Sequence, residues 1–237
     1  MAQSSSAASG ATNAPAGAPG MSLGSPIGYG ASWGDIGIGV GGQTLGDNSK
    51  DDVDGSAAVV VGIGDAVKYV GLEAVVDAIS MRDEFGDDGA FALKLHTVLP
   101  GNAAFAVGVE NIGRWGSAEG GTSSVYAVGT KFFMLSPGAA NPMPLAVNIG
   151  LGDNRFNEAG DTGASVFGGL ALYVHPQFSI ITDWTGNALN AGVSALPFRS
   201  IPLTITLGAL NVSGENLGGQ FGDDTEFGGA LGYTFHF

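Results

Sequence analysis

Hydrophobic and polar residues alternate with a period of two along most of this chain, and the last segment shows it best. Residues 227–237 read FGGALGYTFHF. Because successive side chains of a β-strand point to opposite faces, one face of this segment is aromatic and apolar and the other is small and polar. The pattern predicts a β-strand whose aromatic face meets an apolar environment.

Similar alternating segments recur between clusters of Gly, Asp and Asn from Asp35 onward. We predict strands at 35–45, 56–64, 68–80, 89–99, 103–114, 123–135, 143–152, 164–175, 177–185, 187–197, 201–212 and 226–237. Residues 27–33 are either an extra strand or the first half of strand one. About twelve strands is an even number, which is typical of transmembrane β-barrels.

The predicted fold is therefore all-β: a closed antiparallel up-and-down transmembrane β-barrel of about 12 strands, formed by residues 25–237. Closure is expected because lipid cannot satisfy the hydrogen bonds of an open sheet edge. The alternative is a two-sheet sandwich, in which the aromatic face of the last strand packs on a second sheet.

Residues 1–24 consist mainly of Ala, Ser, Gly and Pro. Such a composition buries too little apolar surface to offset the entropy of ordering, so we expect a flexible tail. The alternative is a plug in the barrel lumen or a segment that threads the barrel. No apolar secretory region precedes the body, so the start at Met1 is interpreted as a mature N-terminus prepared without its signal peptide.

Composition narrows the function classes. The chain has 237 residues, 42 glycines, no cysteine, a formal net charge of −14 and a mean hydropathy of +0.24. No run approaches 18 consecutive apolar residues, so a helical membrane span is not expected. The absence of cysteine excludes disulfides and thiolate metal sites. The negative charge argues against nucleic acid as a partner, because phosphate binding needs Lys and Arg.

The connections between predicted strands alternate between long acidic segments and short turns. This alternation is typical of outer-membrane barrels, whose long loops are extracellular and whose short turns are periplasmic, and it places both termini in the periplasm. The acidic rim of the long loops comprises Asp47, Asp51, Asp52, Asp54, Asp87, Asp88, Asp223 and Asp224. These carboxylates are either solvated loop residues, a vestibule that attracts cations, or a surface bridged to lipopolysaccharide by divalent ions. The spacing in 47–55 departs from a calcium loop, so no specific metal site is predicted.

Charged residues within predicted strands are expected to face the lumen, because a charge on the lipid face near the midplane costs about 2–4 kcal/mol. The predicted lumen-lining residues are Glu73, Asp77, Lys94, His96, Glu110, Arg114, Lys131, Asp183 and Asn190. On strand six this assignment places Lys131 inward and Tyr126, Val128, Phe132 and Met134 outward. Opposite charges on neighbouring strands should pair, and the resulting ladder either stiffens the barrel or forms a charged constriction.

Catalysis is not predicted. The three histidines, His96, His175 and His236, fall at or near the end of the barrel that carries the short turns, away from the rim where outer-membrane hydrolases work. No metalloprotease or nucleophile-elbow motif is present, so we expect no catalytic residues and no cofactor.

The terminal Phe237 after alternating aromatics resembles the assembly signal of bacterial outer-membrane proteins. Residues ~105–197 also resemble YjbH-type outer-membrane proteins, a family associated with exopolysaccharide production. The matching stretches are 107–113, 124–133, 148–152, 167–170 and 182–186 followed by 190–192. The resemblance implies an outer-membrane location, contact with lipid and lipopolysaccharide, and recognition of the last strand by the outer-membrane assembly machinery.

Two functions remain open from the sequence. The first is a porin-like channel for passive diffusion of small solutes with a weak cation preference. The second is a closed structural or assembly barrel linked to surface polysaccharide export. Twelve strands leave a lumen of roughly 10–14 Å after side chains are counted, unless the tail or the loops plug it. A continuous lumen would therefore favour the first function.

Overall fold

In the computed structural model, the residues described are 17–45, 53–79, 86–140, 142–158, 160–214 and 224–237. They form twelve antiparallel strands. The strands are β1 (Asp35–Thr44), β2 (Val53–Gly64), β3 (Gly71–Ala78), β4 (Gly89–Leu99), β5 (Ala103–Trp115), β6 (Ser124–Leu135), β7 (Met143–Gly152), β8 (Ser165–His175), β9 (Phe178–Trp184), β10 (Leu189–Ala195), β11 (Leu203–Leu210) and β12 (Glu226–His236).

The sheet is a closed barrel. Each strand pairs with its neighbours in sequence, and β1 pairs with β12 from Asp35–His236 to Gln43–Gly228. The predicted all-β closed barrel is confirmed, and the strand bounds differ from the prediction by a few residues at the ends. Among the described residues, no helix is long and apolar enough to cross a membrane.

The two ends of the barrel differ. The end that holds Gly34, Phe237 and the short turns is called the terminal end here, and the Phe237 N–H donates to the Gly34 carbonyl at 3.0 Å there. The opposite end, which holds the long connections, is called the loop end. Asp54, Asp87, Asp88 and Asp224 of the predicted acidic rim all lie at the loop end. Asp47, Asp51, Asp52 and Asp223 lie outside the described residues.

The outer face of the barrel is apolar and the inner face is buried. In β4, Phe91, Leu93 and Leu95 are 40–49% exposed, whereas the alternate residues Lys94 and His96 are 6% and 2% exposed. The outward side chains keep the two-residue period because every second residue of a pleated strand shares a face.

Strand β6 has the opposite orientation from the one predicted. Tyr126, Val128 and Thr130 are buried in the interior, and Lys131 points outward with its ammonium 5.7 Å from the centre of the Phe133 ring. The prediction treated every aromatic as lipid-facing and every charge as lumen-facing. Lys131 lies near the terminal end of the strand, where a long side chain can carry its charge beyond the apolar part of the outer face.

The N-terminal segment also differs from the prediction. Residues 18–32, called the plug here, lie inside the barrel, and Met21 and Ile27 are 0% and 1% exposed. The predicted flexible tail is therefore wrong for residues 19–24, while residues 1–16 lie outside the described residues. The plug does not need a large apolar surface of its own, because the barrel wall surrounds it.

An arginine at the centre of the outer face tests whether that face meets lipid. Leu207 points outward in the middle of β11 and is 57% exposed. In lipid vesicles, we expect Leu207→Arg to lower the free energy of unfolding by about 2–4 kcal/mol, with Leu207→Met as the matched control. Urea unfolding followed by Trp fluorescence measures the difference. An arginine variant as stable as the methionine variant would contradict a lipid-facing surface.

Candidate functional site

The candidate site is the contact between the plug and the inner wall, and its centre is the Asp183 carboxylate. Asp183 faces inward from β9 and is 1% exposed. Its Oδ2 accepts hydrogen bonds from the Ser22 hydroxyl at 2.7 Å and from the backbone amides of Leu23, Gly24 and Ser25 at 3.3, 2.9 and 2.8 Å. Consecutive amides around one oxygen form a cradle for an anion. Asp183 therefore holds the plug through the plug's main chain.

The surroundings of Asp183 complete this contact. Asn190, its register partner on β10, donates to Asp183 Oδ1 at 3.2 Å. The Ser25 hydroxyl donates to the Trp184 carbonyl at 3.0 Å. A buried carboxylate is stable only when its oxygens are hydrogen-bonded, so the plug and the wall depend on each other here.

The first leg of the plug, residues 19–21, follows β8 to β10. The Gly20 amide donates to Ser194 Oγ at 2.7 Å, and the Gly20 carbonyl accepts from Ser179 Oγ at 2.6 Å. The Tyr173 hydroxyl donates to the Pro19 carbonyl at 3.2 Å. These contacts again use main-chain groups of the plug. They depend on a close approach of the plug backbone to the wall and not on particular plug side chains.

Apolar side chains anchor the plug at Met21, the last residue of the first leg, and at Ile27, the residue before the second leg. Met21 and Ile27 share one buried cluster with the wall residues Ala146, Ala171 and Ile181. Small wall residues leave the space that these two side chains fill. Burying a side chain of this size contributes about 1.5–3 kcal/mol, so the pair matters as much as the hydrogen bonds.

The second leg, residues 28–32, returns along β6 to β3. The Gly28 amide donates to Thr130 Oγ1, and the Ala31 amide donates to Glu73 Oε2, each at 2.8 Å. The Ala31 carbonyl lies 2.8 Å from His96 Nε2. Both the amide and the carbonyl of Ala31 therefore contact wall side chains.

Glu73 and Lys94 form a buried ion pair beneath the second leg. They are register partners on β3 and β4, their charged atoms are 2.8 Å apart, and each side chain is 7% exposed. A side chain at Gly30 would approach Lys94 Cε to 2.7 Å and Glu73 Oε2 to 3.0 Å. Glycine at this position lets the plug backbone lie directly on the ion pair.

A second ion pair lies at the loop end, between Glu110 of β5 and Arg155. Arg155 Nε contacts Glu110 Oε2, and its Nη2 lies 3.2 Å from Glu110 Oε1. Both terminal nitrogens of Arg155 also lie 3.4 Å from the Gly24 carbonyl. Arg155 belongs to a short 3-10 turn in the β7–β8 connection, and the sequence reasoning missed it because it treated that connection as an external loop.

Phe156 fixes this inward turn of the β7–β8 connection. Its side chain is 0% exposed and stacks on Phe167 with ring centroids 4.4 Å apart. The Arg155 guanidinium lies 4.1 Å from the centre of the Phe156 ring. In the sequence, the adjacent Arg155 and Phe156 within a polar loop were the signal that could have predicted this turn.

The plug is a hairpin and does not thread the barrel. Residues 19–20 and 30–32 contact wall residues toward the terminal end, whereas residues 22–25 reach Asp183 and Arg155 at the loop end. Both legs therefore open toward the same end of the barrel. Residues 19–32 could therefore leave the lumen through that end without any break in the sheet.

The structure separates the predicted lumen-lining residues into groups. Glu73, Lys94 and His96 meet at the terminal end, Asp183 and Asn190 meet near the loop end, and Glu110 pairs with Arg155. Asp77 is on the inner face of β3 and is half-buried. Arg114 instead donates to the Thr122 carbonyl in the β5–β6 connection, and Lys131 is outside the lumen.

The inner faces of β1 and β2 are buried as well. Ser56, Ala58 and Val60 of β2 are 2–3% exposed, and Gln43 of β1 is 6% exposed. A wide water-filled passage would leave these wall residues accessible. These described wall residues therefore line no wide water-filled passage.

Within the part of the chain that the structure describes, no group of three or more His, Asp or Glu residues could hold a metal ion. Comparison with protein-family models found no match, and comparison with curated proteins found none at a significant level.

Removing the charge of Asp183 tests its role in holding the plug. Asp183→Asn keeps the shape but weakens the hydrogen bonds to the plug amides, so the free energy of unfolding should fall by about 2–3 kcal/mol. The matched control is Asp161→Asn, at an exposed position of the β7–β8 connection, which should change it by less than about 0.5 kcal/mol. Urea titration in detergent measures both variants. Equal effects would contradict the role of Asp183.

The Glu73–Lys94 pair can be tested by a double-mutant cycle. Lys94→Met leaves Glu73 buried without its cation and should cost about 3–5 kcal/mol, whereas Glu73→Leu combined with Lys94→Met should cost less than either single change. Lys131→Ala is the control, because an exposed cation over a ring contributes only about 0.5–1 kcal/mol. Additive single effects in the cycle would show that the pair is not coupled.

Proposed function

We propose that this protein is a bacterial outer-membrane barrel that its own plug keeps closed at rest, and that it is not a permanently open diffusion pore. The observation that carries this proposal is the main-chain contact of residues 22–25 with the buried Asp183 carboxylate. This contact holds main chain of the plug inside the lumen at the level of Asp183, where a solute would have to pass.

The outer face supports a membrane location. Aromatic side chains lie on it toward both ends, with Phe91 and Phe227 at the loop end and Phe105 and Phe133 at the terminal end, all at least 43% exposed. Transmembrane barrels carry such aromatic belts at both interfaces. In this arrangement lipid surrounds the barrel, the acidic loop end faces outward toward lipopolysaccharide, and both chain ends lie in the periplasm.

A closed lumen favours the structural or assembly function over free diffusion. The outer-membrane assembly machinery remains the expected partner of β12, whose outward side chains include Leu231, Tyr233 and Phe235. A link to surface polysaccharide export rests on the resemblance of the sequence alone.

A gated channel for small solutes is the second candidate, and the hairpin path of the plug favours it. Because both legs open toward the terminal end, withdrawal of the plug would clear the lumen while the sheet stays closed. Withdrawal would also uncover Asp183, and together with the acidic loop end this carboxylate would give a weak preference for cations.

A disulfide between plug and wall tests the closure in the full-length protein. The natural chain has no cysteine, and a Cβ at position 20 would lie 3.2 Å from the Ser194 Cβ. Disulfides need a Cβ separation of about 3.5–4.5 Å, so Gly20→Cys with Ser194→Cys requires only a small shift. In planar bilayers we expect no steady conductance from the natural chain and none from the oxidised double variant. Each single-cysteine variant, treated identically, is the control.

The recordings also separate the two candidates. Brief openings of the natural chain that disappear on oxidation of the double variant, and return on reduction, would identify a gated channel. Silence of both proteins would identify a closed structural barrel. Steady conductance that persists in the oxidised variant would overturn the proposed closure.

A further inference from the structure

We infer that the inner wall formed by β8 to β11 is a binding site for an extended polypeptide of small residues, and that residues 19–25 are its exchangeable ligand. The occupant is the plug segment of the same molecule. This inference rests on the closed lumen of the proposed function, but its test does not need a membrane.

The first argument is that the wall recognises main chain. Pro19 and Gly20 bind through their carbonyls and the Gly20 amide, and Leu23, Gly24 and Ser25 bind through their amides. Main-chain recognition of an extended segment does not depend on large side chains. The wall would therefore accept any segment whose backbone can approach it as closely as that of the plug.

The second argument is that the wall selects small residues at particular positions. A Cβ at position 20 would lie 3.0 Å from Ser194 Oγ and 3.2 Å from Thr206 Oγ1, and one at position 24 would lie 2.9 Å from the Thr185 methyl group. Between these positions Met21 fills an apolar space. The site thus requires a small residue, an apolar anchor and a second small residue in order.

The third argument is that the wall organises its polar groups through its own hydrogen bonds. Asn190 holds Asp183, and the Thr206 hydroxyl donates to Ser194 Oγ at 2.9 Å. The Ser194 hydroxyl in turn lies 3.2 Å from the Ile205 carbonyl. Groups that are positioned before binding reduce the entropy that binding costs. These side chains therefore remain placed for a ligand when the plug leaves.

The fourth argument is the open path. The first leg begins at the terminal end, where Pro19 contacts Tyr173. The second leg returns to the same end and leaves the lumen at Trp33, which is 66% exposed. Because the plug is an unthreaded hairpin, one segment can leave and another can enter through the same mouth. Exchange requires only that the hydrogen bonds and the apolar anchors are released.

A nicked protein tests the inference. A protease recognition sequence is inserted between Trp33 and Gly34, outside β1, and the full-length protein is folded in detergent before it is cleaved. Fluorescently labelled peptide of residues 17–31 is then added, and its anisotropy and co-elution with the barrel are measured. The barrel variant Asp183→Asn is compared with Asp161→Asn, and the peptide with a scrambled sequence of the same composition.

We expect the cleaved plug to remain bound after cleavage and the labelled peptide to replace it in a saturable manner. Gly20→Val in the peptide should weaken binding at least about tenfold, because its branched side chain would press on Ser194 and Thr206, which a Cβ alone already approaches to 3.0–3.2 Å. Asp183→Asn in the barrel should weaken binding of the unaltered peptide by a similar factor, and the scrambled peptide should not bind.

Three results would overturn the inference. Loss of the plug on cleavage without binding of labelled peptide would show that the wall is not a site. A plug that stays bound and never exchanges would show a fixed structural element. Equal binding of the Gly20→Val or scrambled peptide would show that the wall has no selectivity. Each of these results can occur whether or not the bilayer recordings support the proposed function, so the two failures are distinguishable.

Discussion

The structure depends on one buried carboxylate. Asp183 is inaccessible to water, and its oxygens are satisfied by the amides of the plug and by Asn190. Leaving such a group unpaired in the interior would cost several kcal/mol. The plug therefore stabilises the wall around Asp183, and a segment made mostly of small residues gains a fixed position from this carboxylate, from Glu73 and from the burial of Met21 and Ile27.

Closure of the sheet sets the space that the plug must fit. Twelve strands enclose a narrow interior, and the plug passes close to the wall only because glycines lie at the contacts. A side chain at Gly28 would approach the Ala104 carbonyl to 2.6 Å, and one at Gly62 of the wall would approach the Ser32 carbonyl to 2.1 Å. The glycine content of this chain thus serves two purposes: it gives the strands a small inner face, and it lets a second layer of backbone lie inside them.

The sequence predicted the barrel because alternation repeats in every strand, and cross-strand pairing of Glu73 with Lys94 followed from neighbouring opposite charges. It did not predict the face of β6. Its inner residues Tyr126 and Val128 pack in an apolar cluster of the interior, so hydrophobicity alone cannot tell this inner face from an apolar outer face. Ser124 and Thr130 share that inner face and were the better guide. The ordered plug escaped prediction because its stability comes from partners distant in sequence.

If the barrel lies in a membrane as proposed, Lys131 has a consequence for its depth in the bilayer. A lysine on the outer face costs about 2–4 kcal/mol at the midplane but only about 0–1 kcal/mol near the interface. Its register partners are Ala103 and Val147, so in the proposed membrane this level of β5, β6 and β7 would lie at the boundary between hydrocarbon and headgroups. The Phe133 ring beside it would prefer the same depth. In the proposed membrane, the two side chains would together set the depth of the barrel and oppose its movement along the membrane normal.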